Sequence, residues 1–236
     1  MRKLKYIKTF EAIISPKNID GLIDELINNT PNTLEEANEI GQKYDVDIVD
    51  RPTFVESVKS EKEFSKSIPS RFIFTPFSGL YFGVLNPVTK RVSLVVDYKE
   101  FKRFLMLIRS DRNLSMFDGI MKSMLSHETI HKQQLDKVGG DFKKYDLKGS
   151  PETDPIKYLS STTEIMAYAF SIVDELKRQG LSEDEILNVL RKFDDKAHWV
   201  IKWYKSMVRD KKVLNKLRKY AYQYTKKLMN ENEEDN

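Results

Sequence analysis

Residues 127–131 read His127-Glu128-Thr129-Ile130-His131, and the rest of the chain is best interpreted from this segment outward. Helically spaced apolar residues precede it and two glycines follow at 139 and 140, which predicts a helix from about residue 111 to the glycines. Residues four positions apart lie on one helix face, so both imidazoles can reach a single ion at about 2.0 to 2.1 Å. Glu128 stands where its carboxylate can reach a water molecule on that ion. The alternative is a polar helix surface that binds no ion.

Composition limits the ligands that such an ion can have. The chain has 236 residues, no cysteine and three histidines, of which the third is His198. The absence of cysteine excludes a disulfide scaffold, a thiolate zinc finger, an iron–sulfur cluster and a cysteine nucleophile. A metal site that uses His127 and His131 must therefore be completed by a carboxylate.

Several residues are candidates for the third ligand. Gln134 and Lys137 stand where a glycine and a third histidine would continue an HExxHxxGxxH pattern, so that class of site is excluded. Glu164 begins the next predicted helix and is the main candidate. Ser161 with Glu164 also matches a capping box, in which the glutamate would only accept a backbone hydrogen bond. Further candidates in the intervening loop are Asp141, Glu152 and Asp154.

The sequence predicts an α+β fold in a single domain of residues 1–236. Residues 1–68 form a helical N-terminal region and residues 69–100 form strands. Residues 111–229 form a helical half that carries the metal site, and residues 230–236 are an acidic, frayed tail. The predicted sheet is small and antiparallel or mixed.

Strands are predicted where β-branched and aromatic residues cluster. The runs are residues 71–75, 80–85 and 91–97, with a hairpin through residues 86–89 and a further short strand at residues 46–49. Helices are predicted at residues 19–27, 33–43 with an end near Gly41, 162–179, 182–204 and 210–228. The strand at residues 80–85 is either a core strand or an edge strand that receives an extended peptide.

Around the two predicted ligand-bearing helices, the chain resembles the gluzincin branch of the zinc metallopeptidases. The resemblance lies in an HExxHxxQ segment and in residues 164–169, Glu-Ile-Met-Ala-Tyr-Ala, which look like the E-I-x-A-Y segment of small phage and bacterial zincin-like proteins. It implies a zincin-like fold with one zinc ion bound by His127, His131 and Glu164. It also implies hydrolysis of a protein or peptide by a zinc-activated water molecule, with Glu128 as the general base.

Peptide hydrolysis also needs a hydrogen-bond donor for the negatively charged oxygen that develops on the substrate. Tyr158, Tyr168 and His198 are the candidates for this catalytic role. Tyr168 lies one turn beyond Glu164, although an aromatic residue at this spacing also suits a core. His198 alternatively pairs with Asp194 on a helix surface.

A basic C-terminal stretch supports a different class of function. Residues 202–227 contain ten lysines and arginines against one acid, Asp210, with tyrosines interleaved. This pattern is typical of a surface that follows phosphate groups and stacks on bases. The second hypothesis is therefore a catalytically vestigial zincin-fold module that binds nucleic acid or a protein partner. The simpler interpretation is a solvated helix face, balanced by the acidic tail.

The sequence predicts a cytoplasmic protein with no membrane partner. Charged residues interrupt the N-terminal segment before an apolar signal region can form. No segment has the roughly 18 to 20 uninterrupted apolar residues of a membrane-spanning helix. The formal net charge of +4 favours no particular partner. The resemblance to phage proteins implies that the compartment is the host cytoplasm.

Overall fold

The computed structural model describes residues 19–59, 81–86, 88–111, 115–141, 154–193 and 196–234. In these ranges the chain is mostly helical and contains one small mixed sheet, so the fold is α+β, as the sequence predicts. The chain divides into two compact units, one of Pro16–Lys132 and one that contains Gln133–Asn236. Among the helices of these ranges, none combines the length and the apolar character needed to cross a membrane.

The first unit contains a sheet and the helices that pack on it. In chain order its elements are α1 (Ile19–Asn29), α2 (Leu34–Lys43), β1 (Val46–Asp50), α3 (Arg51–Lys59), β2 (Tyr81–Leu85), β3 (Val92–Val96), α4 (Tyr98–Ser110) and α5 (Ser115–Lys137). The C-terminal end of α5 belongs to the second unit.

The strands form a sheet in the order β1-β3-β2. β1 runs parallel to β3, and β2 runs antiparallel to β3, with Ile48 and Gly83 on either side of Leu94. Every residue of the central strand β3 is buried. The predicted strands at residues 46–49, 80–85 and 91–97 are confirmed within a residue or two at their ends. The predicted strand at residues 71–75 lies outside the described residues.

The predicted hairpin between β2 and β3 is also confirmed, and Asn86 closes it. The backbone N–H of Asn86 donates to the carbonyl of Arg91 at 2.9 Å. Its side-chain Oδ1 accepts the N–H groups of Val88 and Thr89 at 2.9 and 3.2 Å. An asparagine at this position therefore replaces the backbone partners that the turn lacks.

The core of the first unit contains buried residues from α1, α2, all three strands, α4 and α5. In α4, Phe101, Phe104, Leu105 and Ile108 are buried at helical spacing. The strand region was predicted to reach residue 100 and the next helix to begin at about residue 111, and both boundaries are wrong. Asp111 is the C-cap of α4 and not the start of the next helix.

Helix α2 lies unusually close to β1 at Gly41. A Cβ atom on this residue would be 2.5 Å from the carbonyl oxygen of Val46 and 2.8 Å from the Ile48 side chain. The sequence suggested that the helix ends near Gly41. The helix in fact continues to Lys43, so this glycine does not end it. It makes room for the strand instead.

The second unit is helical. Its elements in the described residues are α6 (Pro155–Leu159), α7 (Thr162–Arg178), α8 (Glu183–Lys192), α9 (Trp199–Met207) and α10 (Lys211–Glu234). Helix α7 is buried along almost its whole length and packs against α10, where the rings of Phe170 and Tyr224 meet edge to face at 5.3 Å. The predicted capping box of Ser182 and Glu185 opens α8.

Two helix boundaries in this unit differ from the prediction. The helix expected from Ser182 to about Tyr204 is two helices, because α8 ends where Phe193 adopts a left-handed conformation (φ 46°). His198 then caps the start of α9. At the C-terminus, α10 continues to Glu234, so most of the acidic segment that was expected to be frayed is helical.

Candidate metal centre

Helix α5 presents His127 and His131 on one face, as their spacing predicts. Their Nε2 atoms are 3.0 Å apart, and the rings meet edge to face. Two nitrogens that bind one tetrahedral zinc ion at about 2.0 to 2.1 Å are roughly 3.3 Å apart, which is close to the observed separation. The two side chains are 9% and 5% exposed, so the alternative of a polar helix surface is wrong for both histidines.

A buried hydrogen bond fixes the end of α5 against the start of α7. Gln134 lies one turn after His131 and donates from Nε2 to the backbone carbonyl of Thr163 at 3.2 Å. Thr163 precedes Glu164 in the chain, so this bond holds the first turn of α7 beside the end of α5. In the sequence, Gln134 only excludes a longer zinc motif, and nothing in the residue pattern predicts this role.

Glu164 completes a group of three possible ligands. Its side chain is buried in the first turn of α7, with 1% of the residue exposed. One ligand atom from each of His127, His131 and Glu164 lies within 4.8 Å of the other two. Two imidazole nitrogens and a carboxylate oxygen are the protein ligands of one common class of catalytic zinc site, which keeps its fourth position open. The three side chains therefore fit one divalent ion.

The capping box considered for Ser161 and Glu164 is not formed. Ser161 occupies the N-cap position of α7, but its side chain accepts no capping hydrogen bond. Its hydroxyl and its N–H both donate to the carbonyl of Tyr158, at 2.8 and 3.0 Å. Because the serine is turned toward Tyr158, a reciprocal capping box does not account for the burial of Glu164.

The other loop carboxylates have different positions. Asp154 is the N-cap of α6, where its side chain accepts the N–H of Lys157 at 3.0 Å. Asp141 follows the end of α5 and is not a member of the ligand group found in the described part of the chain. Glu152 lies outside the described residues.

Glu128 is held by the edge of the sheet. Its Oε2 accepts the backbone N–H of Leu85 in β2 at 2.8 Å. Two residues earlier in β2, on the same edge, the N–H of Gly83 points to the sulfur of Met124 at 2.8 Å. A Cβ on Gly83 would lie 3.1 Å from Met124 and 3.3 Å from Glu128, so this glycine permits the close approach. Within the described residues β2 pairs only with β3, and helix α5 uses two backbone donors on its other edge that an added peptide strand would need.

The tyrosine candidates lie around α7. Tyr168 is half-buried, and its ring meets those of Trp203 and Tyr204 edge to face at 5.3 and 5.4 Å. Burial, with smaller contributions from Tyr168 and Glu164, raises the pKa of Tyr204 well above its ordinary value. The Tyr204 hydroxyl donates to the carbonyl of Leu159 at 3.3 Å. From the sequence, Tyr204 was assigned only to an apolar helix face.

His198 has a structural position in the second unit. Its Nδ1 accepts the N–H of Val200 at 3.2 Å, and its Nε2 is 3.2 Å from Oε2 of Glu175. Burial acts to raise the pKa of Glu175, but hydrogen bonds from His198 and Trp199 and nearby positive charge outweigh it, so the pKa is lowered. His198 thus caps α9 and binds Glu175, and Asp194, its expected partner, lies outside the described residues.

Only part of the site could be predicted from the sequence. The histidine pair and Glu128 follow from spacing alone, whereas the Leu85 N–H and the Gln134 bond involve backbone groups and leave no signature in side-chain types.

Comparisons with protein-family models, with curated proteins and with solved structures gave no significant match for the chain. The chemical interpretation therefore depends on the geometry of the site.

Proposed function

We propose that the protein is a zinc-dependent peptidase of gluzincin type. The observation that carries the proposal is the convergence of His127, His131 and Glu164, all buried, next to a glutamate anchored on a strand edge. Under this proposal the fold is zincin-like, with α5 as the HExxH helix, α7 as the helix of the third ligand and β2 as the edge strand. The substrate is a peptide or protein.

Each residue has a defined part in this proposal. His127, His131 and Glu164 hold the ion, and Gln134 keeps the two ligand-bearing helices in register. Zinc at this position supplies Lewis acidity toward a peptide carbonyl and makes water a stronger acid. Because Oε2 of Glu128 is bound by Leu85, Oε1 is the oxygen that takes a proton from the attacking water and returns it to the leaving nitrogen.

The first experiment tests the metal site. Zinc is measured by elemental analysis on the purified wild-type chain and on His131→Ala, Glu164→Ala and His198→Asn. We expect close to one zinc per chain in the wild type and a strong loss in the first two variants. His198→Asn is the matched histidine control, since asparagine preserves a cap for α9, and it should retain zinc. Equal zinc in all four proteins would refute the site.

The second experiment tests the reaction. Zinc-loaded wild type and Glu128→Gln are incubated with a defined mixture of several hundred unstructured peptides, and the products are identified by mass spectrometry. We expect cleavage by the wild type only, with zinc content equal in both proteins, because glutamine preserves the side-chain shape but cannot accept the proton. Equal zinc without cleavage in either protein would favour the vestigial module over the peptidase.

A further inference from the structure

The second unit contains an open groove between helices α8 and α10, away from the proposed zinc ligands in sequence. Its volume is about 390 Å³. The lining residues are Arg191 from the last turn of α8 and Asn215, Arg218, Lys219 and Tyr222 from α10. We propose that this groove binds the phosphate backbone of single-stranded nucleic acid.

The charge of the groove is the first argument. Three of its five lining side chains are cations and none is acidic. Arg191 and Lys219 are exposed, and neither forms an ion pair with a residue that the structure describes. Arg218 only approaches the neutral Asn215 Oδ1, at 3.4 Å. By contrast, Arg178 in the same unit is neutralised by Asp174 at 2.8 Å. Among the residues that the structure describes, no carboxylate neutralises these cations, so the groove presents the positive charge that an anion site requires.

The length of the charged surface favours a polymer over a single phosphate ion. Lys211, Asn215, Arg218, Tyr222 and Lys226 recur at intervals of three or four residues, so they lie along one face of α10. The helix rises roughly 22 Å over the fifteen steps from residue 211 to residue 226. Successive phosphates of one strand are only about 3.4 Å apart along a helical axis, so this face can contact several of them.

Tyr222 supplies the feature that favours an unpaired strand. It is half-buried within the groove lining, and its hydroxyl donates to the carbonyl of Leu187 in α8 at 3.4 Å. This bond fixes the hydroxyl end of the ring against α8, in the lining that it shares with the three cations. An aromatic ring beside a track of cations is the arrangement on which bases of single-stranded nucleic acid stack, whereas the bases of a duplex are already stacked on each other.

The experiment uses the full chain and a fluorescein-labelled single-stranded DNA of 20 nucleotides. Binding is followed by fluorescence anisotropy between 50 and 200 mM NaCl. The test variant replaces Arg191, Arg218 and Lys219 by serine. The loss of three phosphate contacts should lower the slope of log affinity against log salt by about 2 and weaken binding more than tenfold at 50 mM NaCl.

A charge-matched control separates the groove from general attraction. Lys202→Ser, Arg209→Ser and Lys212→Ser together remove the same three charges from exposed positions of the same unit outside the groove lining. This control should bind within about twofold of wild type, and circular dichroism melting should show that both triple variants are folded. Equal losses in both triple variants, or no binding by the wild type at 50 mM NaCl, would overturn the proposal.

Two further arms identify the ligand. Tyr222→Leu should weaken binding roughly fivefold or more with an unchanged salt slope, whereas Tyr222→Phe should bind as the wild type does, since stacking needs the ring and not the hydroxyl. Unlabelled single-stranded DNA should displace the probe. Displacement by 10 mM inorganic phosphate, or by polyglutamate as efficiently as by DNA, would show a general anion site and overturn the assignment to nucleic acid.

Discussion

Replacement of Glu164 by glutamine separates the two roles that this residue could have. Glutamine keeps the shape of the side chain and removes its charge, in a position where only 1% of the residue is exposed. A buried carboxylate is costly to desolvate, whereas a glutamine of the same shape carries no charge into the interior. We therefore expect the metal-free stability of Glu164→Gln at pH 8 to lie within about 1 kcal/mol of the wild type or above it.

The effect on zinc binding should be much larger. Zinc that binds only the folded wild type at 100 times its dissociation constant adds about 2.7 kcal/mol to the free energy of unfolding. For a chain of this size, each kcal/mol corresponds to roughly 2 to 4 °C in melting temperature, so zinc should raise the wild-type Tm by about 5 to 11 °C. Glu164→Gln removes the only anionic ligand of the group found in the described residues, and zinc at the same concentration should leave its Tm nearly unchanged.

Calorimetry or circular dichroism with and without zinc measures both effects. Ser161→Ala is the control, because Ser161 occupies the N-cap of α7 without a side-chain capping bond, and it should show the full zinc shift. The reasoning would be refuted if Glu164→Gln lost more than about 2 kcal/mol of metal-free stability while its zinc shift remained equal to that of the wild type. Glu164 would then be a structural residue and not a ligand.

Two further predictions concern packing and charge elsewhere in the two units. Gly41→Ala should lower the free energy of unfolding by about 3 kcal/mol, because its Cβ would lie 2.5 Å from a backbone oxygen. Gly119→Ala, whose Cβ meets no atom within 4 Å, should instead gain up to about 1 kcal/mol; urea denaturation measures both, and equal effects would contradict the packing argument. Folding lowers the pKa of Glu175, so its stabilising charge is present above the unfolded pKa near 4.5 and is lost as pH falls through the lower folded value. The wild type should therefore have a higher Tm than Glu175→Gln, and the difference should be largest at pH 6 to 7 and become small toward pH 3. Thermal melting of both proteins across this pH range measures the difference, and a constant value would contradict the lowered pKa.

Local sequence patterns were sufficient for most individual elements. The β-branched runs predicted β1, β2 and β3, and the turn signal at residues 86–89 predicted the hairpin between β2 and β3. Both could be predicted because strands and tight turns depend on neighbouring residues. The break between α8 and α9 was missed, since apolar periodicity continues across it. Phe193 adopts its left-handed conformation and His198 caps α9 beside Glu175, and both features involve tertiary packing.

The sequence by itself determined that two imidazoles and a glutamate share one turn of a helix, because the period of the α-helix brings residues 127 and 131 to one face. It also predicted that a metal site with these two histidines is completed by a carboxylate, since the chain has no cysteine and only one other histidine. Only the tertiary structure distinguishes Glu164 among the candidate carboxylates, because in the described residues its ligand atom lies within 4.8 Å of those of the two histidines. The bond from Gln134 to the carbonyl of Thr163 holds the first turn of α7 beside the end of α5, and Leu85 anchors Glu128 through a backbone group. Contacts of this kind depend on how distant segments pack, and no spacing along the chain encodes them.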